Sequence, residues 1–171
     1  MNIFVLDNNP IKAAAAMDCV RVPKMVTESA QMMASALRRH GATDEQMPLT
    51  KSGSPYKGGY HRHPCTIFAG DTRSNFKWLA HHAEALLDEY YKRFGKVHAC
   101  HIPIYQMSSM SKMIPEGDLM PFAQAMPDEY KDDDAVKAYR AYYHSKADSP
   151  GGVHYRHTSP PDWWQGIEVI A

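Results

Sequence analysis

The sequence predicts a mainly α-helical protein: a single-domain bundle of long helices with extended loops and a short N-terminal β-type segment. Three observations carry that expectation. Apolar residues recur at helical spacing over 21–40 and again over 72–94. A glycine follows each stretch, at Gly41 and Gly95, where a helix C-terminal cap is expected. Proline, glycine and serine concentrate between the periodic stretches. With 171 residues and no internal repeat, one domain spanning 1–171 is expected.

The elements follow in order. Met1 to Leu6 reads as a short β-type run, ended by Asp7-Asn8-Asn9-Pro10. Asn9 can cap a helix and Pro10 suits its first position, so a short alanine-rich helix runs to Met17. Pro23 is expected to break or restart the chain before the main helix. In that helix Val22, Met25, Val26, Ser29, Met32, Met33, Ala36 and Leu37 mark the core face. Residues 42–60 read as a long surface loop, and a loop of that length in a small domain is often functional. The second long helix presents Phe76, Leu79, Ala83, Leu86, Leu87, Tyr90 and Phe94. Residues 96–127 contain four prolines and read as irregular. Asp132 to Asp134 offer caps for a third helix through about Lys146, with Val136, Tyr139, Tyr142 and Tyr143 near one side. The tail is rich in Gly, Pro and His and carries Trp163-Trp164.

Composition narrows the function classes. Charged residues at 22% and hydrophobic residues at 44% fit a folded chain. Lys plus Arg and Asp plus Glu number 19 each, so any nucleic-acid-binding surface must be local. Three cysteines without a recognisable leader favour reduced thiols and a cytoplasmic setting. The first ten residues are too short and polar for a signal peptide, and no apolar run suggests a membrane span.

Several constellations could carry chemistry. Arg21, Lys24, Glu28, Gln31 and Ser35 fall within about 80° of one another on a helix, a stripe beside the apolar face. Cations there can hold phosphates, and a carboxylate can stabilise a cationic intermediate or move protons. The same stripe also reads as a solvated face whose Lys–Glu pair is worth a few tenths of a kcal/mol. His61-Arg62-His63-Pro64-Cys65 and His98-Ala99-Cys100-His101 lack familiar zinc spacing, so no metal and no other cofactor is expected. Tyr56, Tyr60, Trp163 and Trp164 lie in expected loops near Lys57, Arg62, Arg156 and His157, suited to base stacking or wedging, or to covering helix ends. No phosphate-binding loop, dinucleotide fingerprint or G-x-S-x-G motif is present.

Three stretches, RVPKMVTESAQMM, YHRHP and FKWLAHHAEALLDEYYKRFG, together resemble the pyrimidine-dimer DNA glycosylases of the phage endonuclease V type. The opening, a β-run, Asp-x-x-Pro, and Lys-Met before a glutamate, is similar to a subset of small phage proteins. The resemblance spans about residues 1–95. It implies that Glu28 is the catalytic glutamate, that double-stranded DNA is the partner with no membrane involved, and that the setting is the cytoplasm of an infected bacterial host. It implies an amine nucleophile that attacks the sugar C1′, releases a damaged or modified pyrimidine and forms a Schiff base, with AP-lyase activity as a possible sequel. Two positions depart from the pattern. Arg21 stands where the family has a histidine, and Asn2 hinders removal of Met1. The nucleophile is then the amine of Met1, Lys24, or neither. Free α-amines titrate at about 7.7–8.0 and lysines at about 10.4, which favours a terminal amine near neutral pH. The expected catalytic set is Glu28, Met1, Lys24 and Arg21. The expected DNA contacts are Asn2, Gln31, Lys57, Tyr60, His61, Arg62, His63, Arg73, Trp163 and Trp164. Two other readings stay open: a non-catalytic phage DNA-binding or host-interaction protein on the same fold, and a DNA base-modifying transferase.

Overall fold

A computed structural model describes residues 1–166. Its helices are α1 (Pro10–Ala15), α2 (Arg21–Arg39), α3 (Pro64–Asp71), α4 (Arg73–Phe94), α5 (His101–Ser109) and α6 (Ala135–His144), with short 3₁₀ turns at Ser111–Met113, Asp128–Tyr130 and Ser145–Asp148. The two long helices, α2 and α4, pack along each other; α1 lies on α4, α3 bridges the pair, and α5 closes one end. Val22, Met25, Met32, Phe76, Leu79 and Leu86, six residues expected in the core, are at most 2% exposed. No described helix is long and apolar enough to cross a membrane.

Local chemistry explains the ends. Asn9 accepts from the N–H groups of Ile11 and Lys12 and starts α1 at Pro10. The α2 C-terminus is a Schellman motif: Ala42 N–H donates to Leu37 O and Gly41 N–H to Arg38 O, with Gly41 at φ +86°. Thr72 caps α4, and Gly95 ends it in the left-handed region. Asp134 caps α6 as expected.

Three expectations are corrected. The N-terminal β-type segment is not a strand; among the described residues the sole β pairing is the bridge between Leu49 and Pro55. Residues 2–6 are instead buried as a single extended thread. Asn2 Oδ1 accepts from the N–H groups of Ile3 and Phe4, and Phe4 takes φ +45°, so side-chain bonds replace a ladder. Pro23 does not interrupt the chain, because it occupies the third position of α2, where its missing N–H has no intrahelical partner to lose. The segment 96–127 is not wholly irregular: it contains α5, with Pro103 again tolerated in the first turn. Residues 64–71 form α3, capped by His63 Nδ1, which accepts from Cys65 N–H, with Pro64 at the first position.

One buried group makes stability depend on pH. His82 is fully buried, stacks on Trp78, and uses Nδ1 to donate to Pro10 O at 3.0 Å. Burial pushes its pKa down to about 4 from 6.5. The folded state therefore holds His82 neutral, whereas the unfolded chain takes up a proton below about pH 6.5. The stability linked to this group is present above that pH and lost as the pH falls toward 4, about 3 kcal/mol in all. Urea midpoints should fall between pH 7 and pH 4.5 more steeply for the wild type than for His82→Gln. Parallel profiles would remove His82 from the account.

Candidate active site

Glu28 sits in the second turn of α2, with its side chain 13% exposed. The apolar face of that helix fixes the rotation, since Met25 and Met32 are buried on its core side. The buried N-terminal thread then delivers the chain terminus to this carboxylate. Asn2 N–H donates to Glu28 Oε2 at 2.8 Å, and the Met1 amine lies 3.8 Å from the same oxygen. Lys24 Nζ lies 3.8 Å from Oε1, but its side chain is 68% exposed. Met1 is anchored by its thioether, which accepts from Thr66 Oγ1 in the first turn of α3.

These groups line a cleft of about 440 Å³. Phe4, Val20, Met25 and Tyr142 supply apolar walls, and Lys146, Ser149 and Pro150 form the far side. The Lys146 ammonium rests over the Tyr142 ring at 3.8 Å. The site is thus assembled from residues 1–4, the start of α2, and residues 142–150. A larger apolar groove of about 660 Å³ lies between the 47–51 loop and α5, but no carboxylate lines it.

Arg21 is on the cleft wall yet turned inward. Its guanidinium donates to Asp18 Oδ2 at 2.8 Å and to Gly152 O at 2.9 Å. Asp18 is fully buried; it also receives the Tyr143 hydroxyl and the N–H groups of Val20 and Arg21. Burial, then the Asp18 charge, pushes the Tyr143 hydroxyl well above its usual range, so it stays a protonated donor. Arg21 therefore ties the 146–152 segment to the start of α2.

The remaining candidates separate into three groups. Asn2 is buried, with its side-chain amide donating to Ala125 O, so it braces the thread and leaves its backbone to face Glu28. Lys57, Tyr60, His61 and Arg62 are exposed together on the loop before α3, and Gln31 is half-exposed on α2. Arg73 reaches the carbonyls of Ile114 and Lys112 away from the cleft. Trp163 and Trp164 are half-buried against Tyr143 and His144, and Arg140 covers the Trp163 ring. They pack against the end of α6, and Trp163 also lines a separate cleft of about 420 Å³.

His63 is drawn to the site by tertiary structure. It caps α3, the helix whose first turn touches Met1. Burial holds its pKa below the usual histidine range; the positive Met1 terminus adds to this, and Glu28 opposes it. Because Nδ1 accepts the Cys65 N–H, the neutral ring carries its proton on Nε2. The two His/Cys clusters do not converge: among the described residues no three His, Cys, Asp or Glu side chains are placed to hold a metal. Cys65 and Cys100 are buried free thiols beside the hydroxyls of Tyr139 and Tyr56. Two site features were missed in the sequence, the Asp18 anchor and the 142–150 wall, because neither lies at a recognisable spacing from Glu28.

The fold and the cleft define a small helical protein with a terminal amine and a helix-borne carboxylate held side by side. Residues 1–102 match the family described as pyrimidine dimer DNA glycosylase, and the chain belongs to that family. Its function is accordingly of the pyrimidine dimer DNA glycosylase type, with DNA as substrate. No curated protein and no solved structure matches it. The far wall of the cleft lies beyond the matched residues.

Proposed function

We propose that the protein excises a pyrimidine base from damaged or modified double-stranded DNA, with the Met1 α-amine as nucleophile and Glu28 as its partner. The observation that carries this reading is the 3.8 Å approach of the Met1 amine to Glu28 Oε2, on an oxygen already oriented by Asn2 N–H at 2.8 Å. The neutral amine attacks C1′. The new N–C1′ bond replaces the glycosidic bond, whose electron pair leaves with the base, and the base acquires a proton. Loss of the amine proton and opening of the sugar ring give a Schiff base. Glu28 accepts and returns protons and stabilises the positive centre, where partial exclusion of water strengthens its charge. Hydrolysis of the Schiff base frees the amine and leaves an abasic sugar, whereas proton loss at C2′ followed by elimination of the 3′ phosphate gives AP-lyase cleavage.

Lys24 is the weaker nucleophile candidate, because its ammonium stands in solvent. Arg21 serves the site by holding its wall. Lys24, Lys57, His61 and Arg62 supply the phosphate contacts expected despite zero net charge. The cleft draws on both ends of the chain, which supports a single domain. A second reading, a DNA-binding protein without base release, rests on Arg21, whose guanidinium is committed to Asp18 and Gly152 O and cannot do the work of a cleft-facing histidine.

Borohydride trapping on a panel of dimer-containing and base-modified duplexes tests the proposal. A covalent adduct should form, peptide mapping should place it on the N-terminal residue, and Lys24→Ala should still trap. A protein acetylated at its N-terminus should trap nothing. Adduct on Lys24 would reassign the nucleophile, and DNA binding without base release or adduct would favour the second reading.

A further inference from the structure

We propose that Tyr60 is a wedge that enters the duplex beside the target nucleotide, presented by a turn built for that purpose; this rests on the glycosylase reading above. The C1′ of a nucleotide in a straight, fully stacked duplex cannot reach an amine at the bottom of a cleft, so the duplex must be kinked or unstacked at the lesion, and an inserted side chain can fill the space that opens. Four loop aromatics are suited by sequence to base stacking, Tyr56, Tyr60, Trp163 and Trp164, and their surroundings choose among them. Tyr56 is half-buried, with its hydroxyl on Cys100 Sγ. Trp163 and Trp164 pack on α6. Tyr60 is 65% exposed, the most exposed of the four.

The turn that carries it is pinned. Ser35 Oγ donates to Gly59 O and accepts from Gly59 N–H, both at 2.8 Å. Gly58, at φ +76°, lies so close to α2 that a Cβ there would collide with the Ser35 backbone. Tyr60 itself takes φ +54°, a backbone region that tyrosine adopts only where its surroundings impose it. Its carbonyl accepts from His63 N–H at 2.8 Å, closing the turn onto the cap of α3. Ser35 is two turns from Glu28 on the same face of α2, about 10 Å along the axis. The α3 end of the turn reaches Met1 through Thr66. Tyr60 thus stands on a fixed arm joined at both ends to elements that hold Glu28 and the amine, with Lys57, His61 and Arg62 exposed around it to meet phosphates. A flexible side chain on a mobile loop would lose affinity to ordering, and this arm is already ordered.

Tyr60→Gly removes the ring and suits the positive φ, so it should leave the melting temperature unchanged or raised. Single-turnover base release from a fully paired lesion duplex should fall about 10- to 100-fold, the scale of one lost base–aromatic stack. Release from a duplex with an abasic site opposite the lesion, already unstacked, should stay within about threefold of wild type, and Tyr60→Phe should behave as wild type on both. Separately, 2-aminopurine beside the lesion should brighten when the wild type binds and not when Tyr60→Gly binds. That reading needs no chemistry, so it tests the wedge even if the wild type releases no base, the outcome that would sink the glycosylase mechanism alone. Wild-type rates for Tyr60→Gly on paired duplex, equal losses on both duplexes, or no brightening with bound wild type would each overturn the wedge.

Discussion

Glu28→Gln should fold, bind lesion duplex and release almost no base. The substitution is unusually clean here. Glu28 Oε2 accepts the Asn2 N–H, and the glutamine oxygen can accept the same bond, so the buried thread keeps its anchor. Glu28→Ala would instead leave a donor unpaired in a part-buried site and confuse stability with activity. What glutamine removes is the negative charge 3.8 Å from the Met1 amine and the capacity to move a proton. Losing a general acid–base group typically costs about 10²- to 10⁴-fold. Single-turnover base release should fall within that range while DNA affinity stays within about twofold and the melting temperature within about 2 °C, as for a change that keeps shape and hydrogen bonding. If Glu28 were only a partner for exposed Lys24, activity would survive and stability would change by a few tenths of a kcal/mol. An active Glu28→Gln protein would falsify the proposed mechanism.

Arg21→Ala should be the costliest single change to the fold around the site. Its partner Asp18 is fully buried, and removing the guanidinium strands that carboxylate against the Tyr143 hydroxyl and two backbone N–H groups. Breaking a buried pair by deleting one member costs about 3–5 kcal/mol. For a chain of this size that corresponds to a loss of roughly 10 °C in melting temperature. The Gly152 carbonyl loses its donor as well, so the 146–152 wall should loosen and limited proteolysis should cut there first. Adding Asp18→Asn to Arg21→Ala should recover part of the loss, since the stranded charge is gone. A melting temperature within 1 °C of wild type for Arg21→Ala would show that the pair contributes nothing measurable, as exposed pairs often do.

The contrast between Glu28 and Arg21 shows where sequence reasoning ends. Both lie on one stripe of α2 by periodicity, and both were expected to face the site. Periodicity fixes the angle of a side chain about its helix and says nothing of what another segment brings to meet it. Asp18, one turn before Arg21, and Gly152, far along the chain, turn the guanidinium into a structural brace. Glu28 keeps an open face because the N-terminal thread stops beside it. Trp163 and Trp164 likewise look like exposed aromatics in a Pro-rich tail, and they become the packing of α6 only because Tyr143 and His144 are folded beneath them.

By itself the sequence determined the two long helices, their buried faces, their glycine stops, the caps at Asn9 and Asp134, and the family. Each of these is written in spacing or in residue chemistry over a few positions, where the backbone geometry supplies the rest. Only the tertiary structure decided that residues 1–6 are a buried thread, that the Met1 amine meets Glu28, that Tyr60 and His63 share the turn leading into α3, and that residues 142–150 close the cleft. The reason is physical. The N-terminal run is apolar enough for a strand, but among the described residues no partner edge meets it, so its hydrogen bonds go to the Asn2 side chain and Glu28. Contacts between residues more than a hundred positions apart depend on how the helices stack, and no local pattern encodes that stacking.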